Sequence, residues 1–469
     1  MQEKLANKRK ALTVFSLIML TIGSVDSVRN LPATALFGSS LIFFFIVSAL
    51  FFLIPCALIS AELSSSYDED GGVYLWVKEA FGVPIGFCAI WFQWLENVIW
   101  APTILSFIAA TIAYLIDPAL AANKYFLVTV ILSVFWLATL VNIFGMRSSA
   151  IFSNFCSILG LVIPMTLIIA LGAIWVLGHH HLQINFTITD MIPHATNSNM
   201  WLSLTAIMMS FCGIEIATVH AKDVANPQKS FPKALFYSTI FILLTLILGA
   251  LAISVVLPHD DISLVAGIMQ AFSAFFANYH IMWVVPIIAL CLIIGGLGSL
   301  SNWIIAPVKG LLVAAEDGNL PQQLRKENRY RAPVNLLVYQ AIIVSVLALA
   351  FIFMPTINSS YWLLTALAAQ IYMFMYILMF LAAISLRYKY PLRKRSFVVP
   401  GGKIGLWTFS VMGILACIIT VFVSFIPPAN VYNGSFWSYE VMLLAAIFLM
   451  LLPPFFAYKF RKPAQEPSS

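Results

Sequence analysis

Long apolar stretches recur along nearly the whole of this sequence, each about as long as a helix needs, roughly 20 residues, to cross the ~30 Å hydrocarbon core of a bilayer. With 61% hydrophobic and 9% charged residues, the chain cannot cover a water-facing surface, which takes about 25% charged residues in ordinary soluble domains. The expected fold class is therefore all-α and integral to the membrane. Hydrophobic runs place spans at 13–38, 40–65, 85–116, 124–142, 149–177, 200–220, 234–257, 280–312, 333–354, 359–386, 404–427 and 436–459, which makes twelve. The first run follows ten polar and charged-rich residues and is too long for a signal-peptide core, so no cleavable leader is expected.

The basic residues set the orientation. With the N-terminus inside, 23 of the 25 Lys and Arg fall on the inner side, and only Arg29 and Lys124 lie elsewhere. That asymmetry predicts both termini in the cytoplasm of a multi-pass bacterial inner-membrane protein. It also accounts for the net charge of +6 without nucleic acid as a partner. Six of the seven histidines, including the run His179-His180-His181, fall in the expected outer loops. The run reads either as a solvated loop or as a metal-binding or acid-sensing device, since histidine changes charge near pH 6.5. Loop 258–279 is long enough for a short surface helix. All six cysteines lie in apolar stretches without CxxC spacing, and neither a disulfide nor a metal site is expected. No cofactor is expected either.

Two interruptions carry the functional signal. The stretch Thr21-Ile22-Gly23-Ser24-Val25-Asp26-Ser27-Val28-Arg29-Asn30-Leu31-Pro32 breaks the first span with glycine, two opposite charges and proline, and Ser210-Phe211-Cys212-Gly213-Ile214-Glu215 repeats the idea in the sixth. Irregular backbone at membrane depth persists only where it lines a cavity enclosed by protein. Matched breaks in two halves are the sequence sign of a transporter site built from inverted repeats. Half-helix N-termini offer N–H groups to a carboxylate and unwound carbonyls receive an ammonium group, so an α-amino acid suits the pair. Gly23, Ser24 and Val25 are the candidates for carboxylate contacts, and Phe211, Cys212 and Gly213 for ammonium contacts. The alternative is a glycine-kinked structural helix at each break.

Asp26, Arg29, Glu96 and Glu215 are ionisable groups expected near the midplane, where they must pair, protonate or face water. Glu96 and Glu215 are candidates for coupling transport to protons. Asp26 and Arg29, at i, i+3 spacing, either contact substrate or merely brace the break as an ion pair. Glu62, near the end of the second span, is less informative. Trp303 follows a Gly/Ser-rich stretch, Gly295 to Asn302, where helices approach closely, and is a candidate gate or stacking surface.

Gly71-Gly72-Val73-Tyr74-Leu75-Trp76-Val77, Phe211 to Glu215, Asn226-Pro227, Trp303 to Gly310 and Pro400-Gly401-Gly402-Lys403 together resemble the amino acid-polyamine-organocation superfamily, and within it the bacterial glutamate/GABA antiporter family. The resemblance implies a LeuT-type fold. On it, 1–12 is a cytoplasmic N-terminus, 13–195 a first inverted repeat, 196–390 a second, 391–460 two further helices and 461–469 a short cytoplasmic tail. It implies obligatory exchange by alternating access, of an amino acid for a related one or for its decarboxylation product. Glu215 takes the role of a pH-linked residue, Trp303 of an aromatic gate, and Tyr372 or Tyr376 of the aromatic that closes the site. Two positions depart from the family: Arg29 stands where the antiporter has an aromatic residue, and Asp26 where it has an apolar one. Arg29 either clamps a side-chain carboxylate in bidentate fashion or is neutralised by Asp26. No C-terminal plug of the acid-regulated kind is expected after Tyr458. The expected partners are small amino acids, protons and the lipid bilayer, with the chain a monomer or homodimer. A proton-coupled symporter or uniporter is the competing reading. An enzyme is not expected, because no nucleophile-base pair or metal constellation appears.

Overall fold

The computed structural model of the chain describes residues 13–67, 71–144, 156, 158–192, 203–215, 227–330, 332–427 and 436–459. The expected N-terminal segment 1–12, the tail 461–469, the start of the fifth span, Asn226, His194 and His220 lie outside them. All regular structure among the described residues is helical. The first break separates α1 (Val14–Val25) from α2 (Leu31–Ala35). Then come α3 (Gly38–Ser66), α4 (Val73–Phe81), α5 (Val83–Ile116), α6 (Lys124–Ile143) and α7 (Ile158–Leu177). The second half holds α8 (Ser203–Ser210), α9 (Pro227–Val256), α10 (Gly267–Asn278), α11 (Val285–Ala314), α12 (Val334–Phe353), α13 (Ile357–Lys389), α14 (Gly402–Val423) and α15 (Phe436–Lys459).

Ten of these helices are long and apolar enough to cross a membrane, among the described residues. The first and sixth expected spans are the two broken ones, and among the described residues neither supplies an uninterrupted helix of that length. In the first, the ring of Pro32 would meet the carbonyl of Val28 if a single helix ran through, so the helix must stop and restart. Ser27 is extended, with φ −151° and ψ 122°, a short 3-10 turn covers Val28–Asn30, and Pro32 occupies the first turn of α2, where its missing N–H is harmless. In the sixth span α8 ends at Ser210, and the turn Phe211–Gly213 passes through Gly213 at φ +103°. A side chain there would strain the backbone, which is why glycine marks the bend.

Burial divides the helices into a centre and a rim. In the most apolar windows of α5 and α13, 72% and 78% of residues are buried, against 28% in α6, α7 and α14 and 22% in α15. The rim helices keep apolar faces outward, as lipid requires, and α5 packs against both α11 and α13. The glycines of α11 are explained by close approach: a Cβ on Gly295 would lie 2.2 Å from Gly160 Cα on α7, and one on Gly298 would lie 2.5 Å from Cys156 Cβ. α10 is the short helix expected in loop 258–279, and it buries Ile268, Met269, Phe272, Phe275 and Phe276. Beside it, His180 stacks on Trp175 with ring centroids 4.4 Å apart. No three His, Cys, Asp or Glu side chains form a metal-binding group among the described residues. All six cysteines are free thiols.

Candidate functional site

A cavity of about 70 Å³ opens where the two breaks face α5, α11 and α13. Since one water needs ~10–15 Å³ on this measure, it has room for several waters or a small solute. Of the residues singled out in the sequence, Gly23, Val25, Asp26, Arg29, Glu96, Cys212, Trp303 and Tyr372 line it. Ser27, Asn30, Trp100, Met209 and Ser299 complete the wall.

Arg29 is buried and held from two central helices. Its Nη1 donates to Thr103 Oγ1 at 2.6 Å on α5 and to Tyr361 Oη at 3.4 Å on α13, and its guanidinium lies 5.2 Å from the Trp100 ring centroid. Asp26 Oδ2 accepts a hydrogen bond from Thr245 Oγ1 on α9 at 2.8 Å. No carboxylate comes within ion-pair distance of Arg29 among the described residues, so the alternative reading of Asp26 and Arg29 as an ion-pair brace does not hold. Their i, i+3 spacing pairs side chains only on a continuous α-helix, and the extended Ser27 between them takes them out of that register. Asp26 Oδ1, Arg29 Nε and Glu96 Oε2 are buried without a hydrogen-bond partner.

One further expectation needs correction. Gly23, Ser24 and Val25 still belong to α1, and Asp26 N–H donates to Ile22 O at 2.8 Å. Their N–H groups point back into the helix, so this end of the break presents carbonyls. The N–H groups at a helix start are instead those of Val28 and Arg29, in the 3-10 turn that follows Ser27.

Behind Tyr372 lies a second polar layer. Glu215 accepts hydrogen bonds from Tyr372 Oη at 2.6 Å, Tyr376 Oη at 2.5 Å and Gln93 Nε2 at 3.2 Å. Tyr376 Oη also accepts the Gly213 N–H at 2.9 Å, which fixes the bend to α13. Glu215, Tyr376, Gly213 and Phe211 are buried and do not line the cavity. Phe211 packs edge-on against Phe45, centroids 5.6 Å apart. Trp303 lies beside Trp100 in the wall, ring centroids 5.7 Å apart and tilted by 43°.

Sequence reading missed Trp100, Thr103, Gln93, Tyr361 and Thr245. A signal was present for three of them: Gln93, Glu96, Trp100 and Thr103 follow at intervals of three, four and three, one face of one helix. It also passed over Glu62, which is buried at the base of α3 and takes both Arg387 and Arg395 as ion-pair partners. Nearby Lys78 pairs with Asp317 at 2.5 Å.

Comparison with known proteins identifies the family. The amino acid permease family model matches residues 12–448. The chain belongs to that family. It is 43% identical over 448 residues to an uncharacterized transporter of Legionella pneumophila, covering 96% of each chain. A glutamate/gamma-aminobutyrate antiporter of Lactococcus lactis is 28% identical over 456 residues, covering 96% of this chain and 91% of the relative. A probable agmatine/putrescine antiporter of the same species is 23% identical over 469 residues, covering 99% and 98%. This permease is thus a multi-pass membrane transport protein and not an enzyme, and the resemblance read from its motifs holds.

Proposed function

We propose that this permease exchanges amino acids, one for a related one or for its decarboxylation product, by alternating access around the cavity between the two breaks. The observation that carries the reading is the lining itself: one guanidinium and two carboxylates, Arg29, Asp26 and Glu96, converge on a space enclosed by both helix interruptions. A zwitterion fits such a wall, its carboxylate on Arg29, its ammonium on Asp26, Glu96 and the Cys212 turn. Trp303 with Trp100 closes one approach and Tyr372 with Tyr376 the other. Glu215, buried behind the tyrosines, is the group whose proton occupancy links transport to pH.

The LeuT-type plan of twelve crossings, with residues 13–195 inverted against 196–390 and two further helices, suits two breaks in corresponding positions. The Arg- and Lys-bearing end, with Lys78, Arg387, Arg393 and Arg395, then faces the cytoplasm of a bacterial inner membrane, and both termini lie there. Counterflow in proteoliposomes tests exchange: uptake of labelled amino acid should require unlabelled amino acid or amine inside. Equal uptake into empty vesicles, driven by a pH gradient, would instead mean proton symport, and without a gradient, uniport.

A further inference from the structure

Three ionisable side chains of the cavity are left unsatisfied by the protein itself. Asp26 Oδ1, Glu96 Oε2 and Arg29 Nε are all buried without partners, and all three residues line the one space. Native proteins pair nearly all such atoms, and at membrane depth the cost of leaving them is higher still. The unpaired atoms therefore describe the complement of what fills the cavity. The other titratable groups in its described wall are Cys212 and Tyr372, Glu215 lies behind Tyr372 as the acceptor of its hydroxyl, outside the wall whose charge is counted, and Thr245 is the hydroxyl that already serves Asp26. Among the described residues Arg29 is the wall's sole cation.

With both carboxylates ionised the wall sums to one negative charge. We infer that the site is built for a solute with one carboxylate and two amino groups, and that a solute with one of each enters with a proton. This rests on the cavity being the transport site. The carboxylate goes to Arg29, the first ammonium to Glu96 and the second to the bare oxygen of Asp26. A dicarboxylate is disfavoured, because its second carboxylate meets Asp26 or Glu96 with no cation to spare. The substrate preference thus departs from the glutamate in the name of the Lactococcus lactis relative.

The test is calorimetric titration of the full chain in lipid nanodiscs at pH 7 with L-ornithine, γ-aminobutyrate and L-glutamate. Each is run in two buffers of different ionisation enthalpy, which counts protons taken up. L-Ornithine should bind with no proton, γ-aminobutyrate with one, and L-glutamate at least tenfold more weakly than either. Asp26→Asn should abolish proton uptake with γ-aminobutyrate and reduce the preference for L-ornithine at least tenfold. Thr245→Val, which removes the hydrogen bond to Asp26 but not its charge, should keep the wild-type order and so separates charge from folding. L-Glutamate binding as tightly as L-ornithine, or an unchanged proton count in Asp26→Asn, overturns the charge argument alone. Binding of all three solutes unaffected by Arg29→Gln, or binding of none, overturns the cavity as the transport site as well.

Discussion

Replacing Glu62 by Gln changes one charge and almost no volume, at a point where that charge holds a whole loop in place. Glu62 Oε1 accepts Arg387 Nε at 2.8 Å and Nη2 at 2.5 Å, and lies 3.5 Å from Arg395 Nε. Its Oε2 takes a second hydrogen bond from Arg387 Nη2 and the Val399 N–H at 2.8 Å. The side chains of Glu62 and Arg387 are 6% and 10% exposed, so the carboxylate neutralises guanidinium groups that water hardly reaches. Removing one partner of a buried pair costs about 3–5 kcal/mol, roughly a hundredfold to a few thousandfold in an opening equilibrium at 1.4 kcal/mol per tenfold. Hydrogen exchange over 396–401 reads that opening directly, because the Val399 amide is one of the groups protected. Ser65→Ala calibrates the scale: it removes the acceptor for the Phe397 N–H, 3.1 Å away, together with the hydroxyl's own bond to Glu62 O on the same helix, changes no charge, and should speed exchange about fivefold, for ~1 kcal/mol. The double variant Glu62→Met/Arg387→Met should recover most of the loss, since Arg395 keeps the carbonyls of Leu386, Tyr390 and Arg393 as partners. Exchange in Glu62→Gln no faster than in Ser65→Ala would refute the claim that charge, rather than packing, fastens the loop.

Thr103→Val removes the 2.6 Å hydrogen bond to Arg29. Transport should show KM raised about tenfold with maximal rate nearly kept, as for a lost bond of ~1.5 kcal/mol to a charged group; an unchanged KM would separate Arg29 from substrate. Tyr376→Phe takes a donor from Glu215 and an acceptor from Gly213 N–H, so exchange rates should drop at least tenfold while the chain still folds, and wild-type rates would remove the second polar layer from the mechanism. Gly295→Ala sets a Cβ 2.2 Å from Gly160 Cα, backbone against backbone, and should lower the melting temperature by the equivalent of ~2–3 kcal/mol; a melting curve matching wild type would mean that α7 and α11 do not cross so closely.

The sequence's long apolar runs were enough to place most helices, and its polar interruptions were enough to find the cavity, because both are local properties of the chain. Gly213 sits at the bend, and Asp26, Arg29, Glu96, Trp303 and Tyr372 do share one space. What escaped reading depends on distance in the chain or on fine backbone shape. Arg29 is held by residues 74 and 332 positions away, and no periodicity connects such pairs. The assignment of Gly23–Val25 as N–H donors failed because the helix runs three residues further before Pro32 and Ser27 divide it. A shift of that size exchanges carbonyls for N–H groups. Glu62 was passed over for its place near a helix end, although a carboxylate within an apolar run always raises the question of its partner.

The two breaks differ in construction yet share the same supports. Proline and an extended serine make the first, and it carries charge; a left-handed glycine makes the second, and it is fixed through hydroxyl groups. α5 reaches the first through Thr103 on Arg29 and the second through Gln93 on Glu215. α13 reaches the first through Tyr361 on Arg29 and the second through Tyr372 and Tyr376 on Glu215. These are also the two most buried of the ten long apolar helices among the described residues, so the polar groups that hydrocarbon would penalise sit where protein surrounds them. A movement that opens the cavity must therefore shift both breaks against α5 and α13, or shift those helices together. On the proposed mechanism the hydrogen bonds at Thr103, Tyr361, Tyr372 and Tyr376 are the ones such a movement strains, and Arg29 and Tyr372, which line the cavity, are the members of these pairs that a solute can reach.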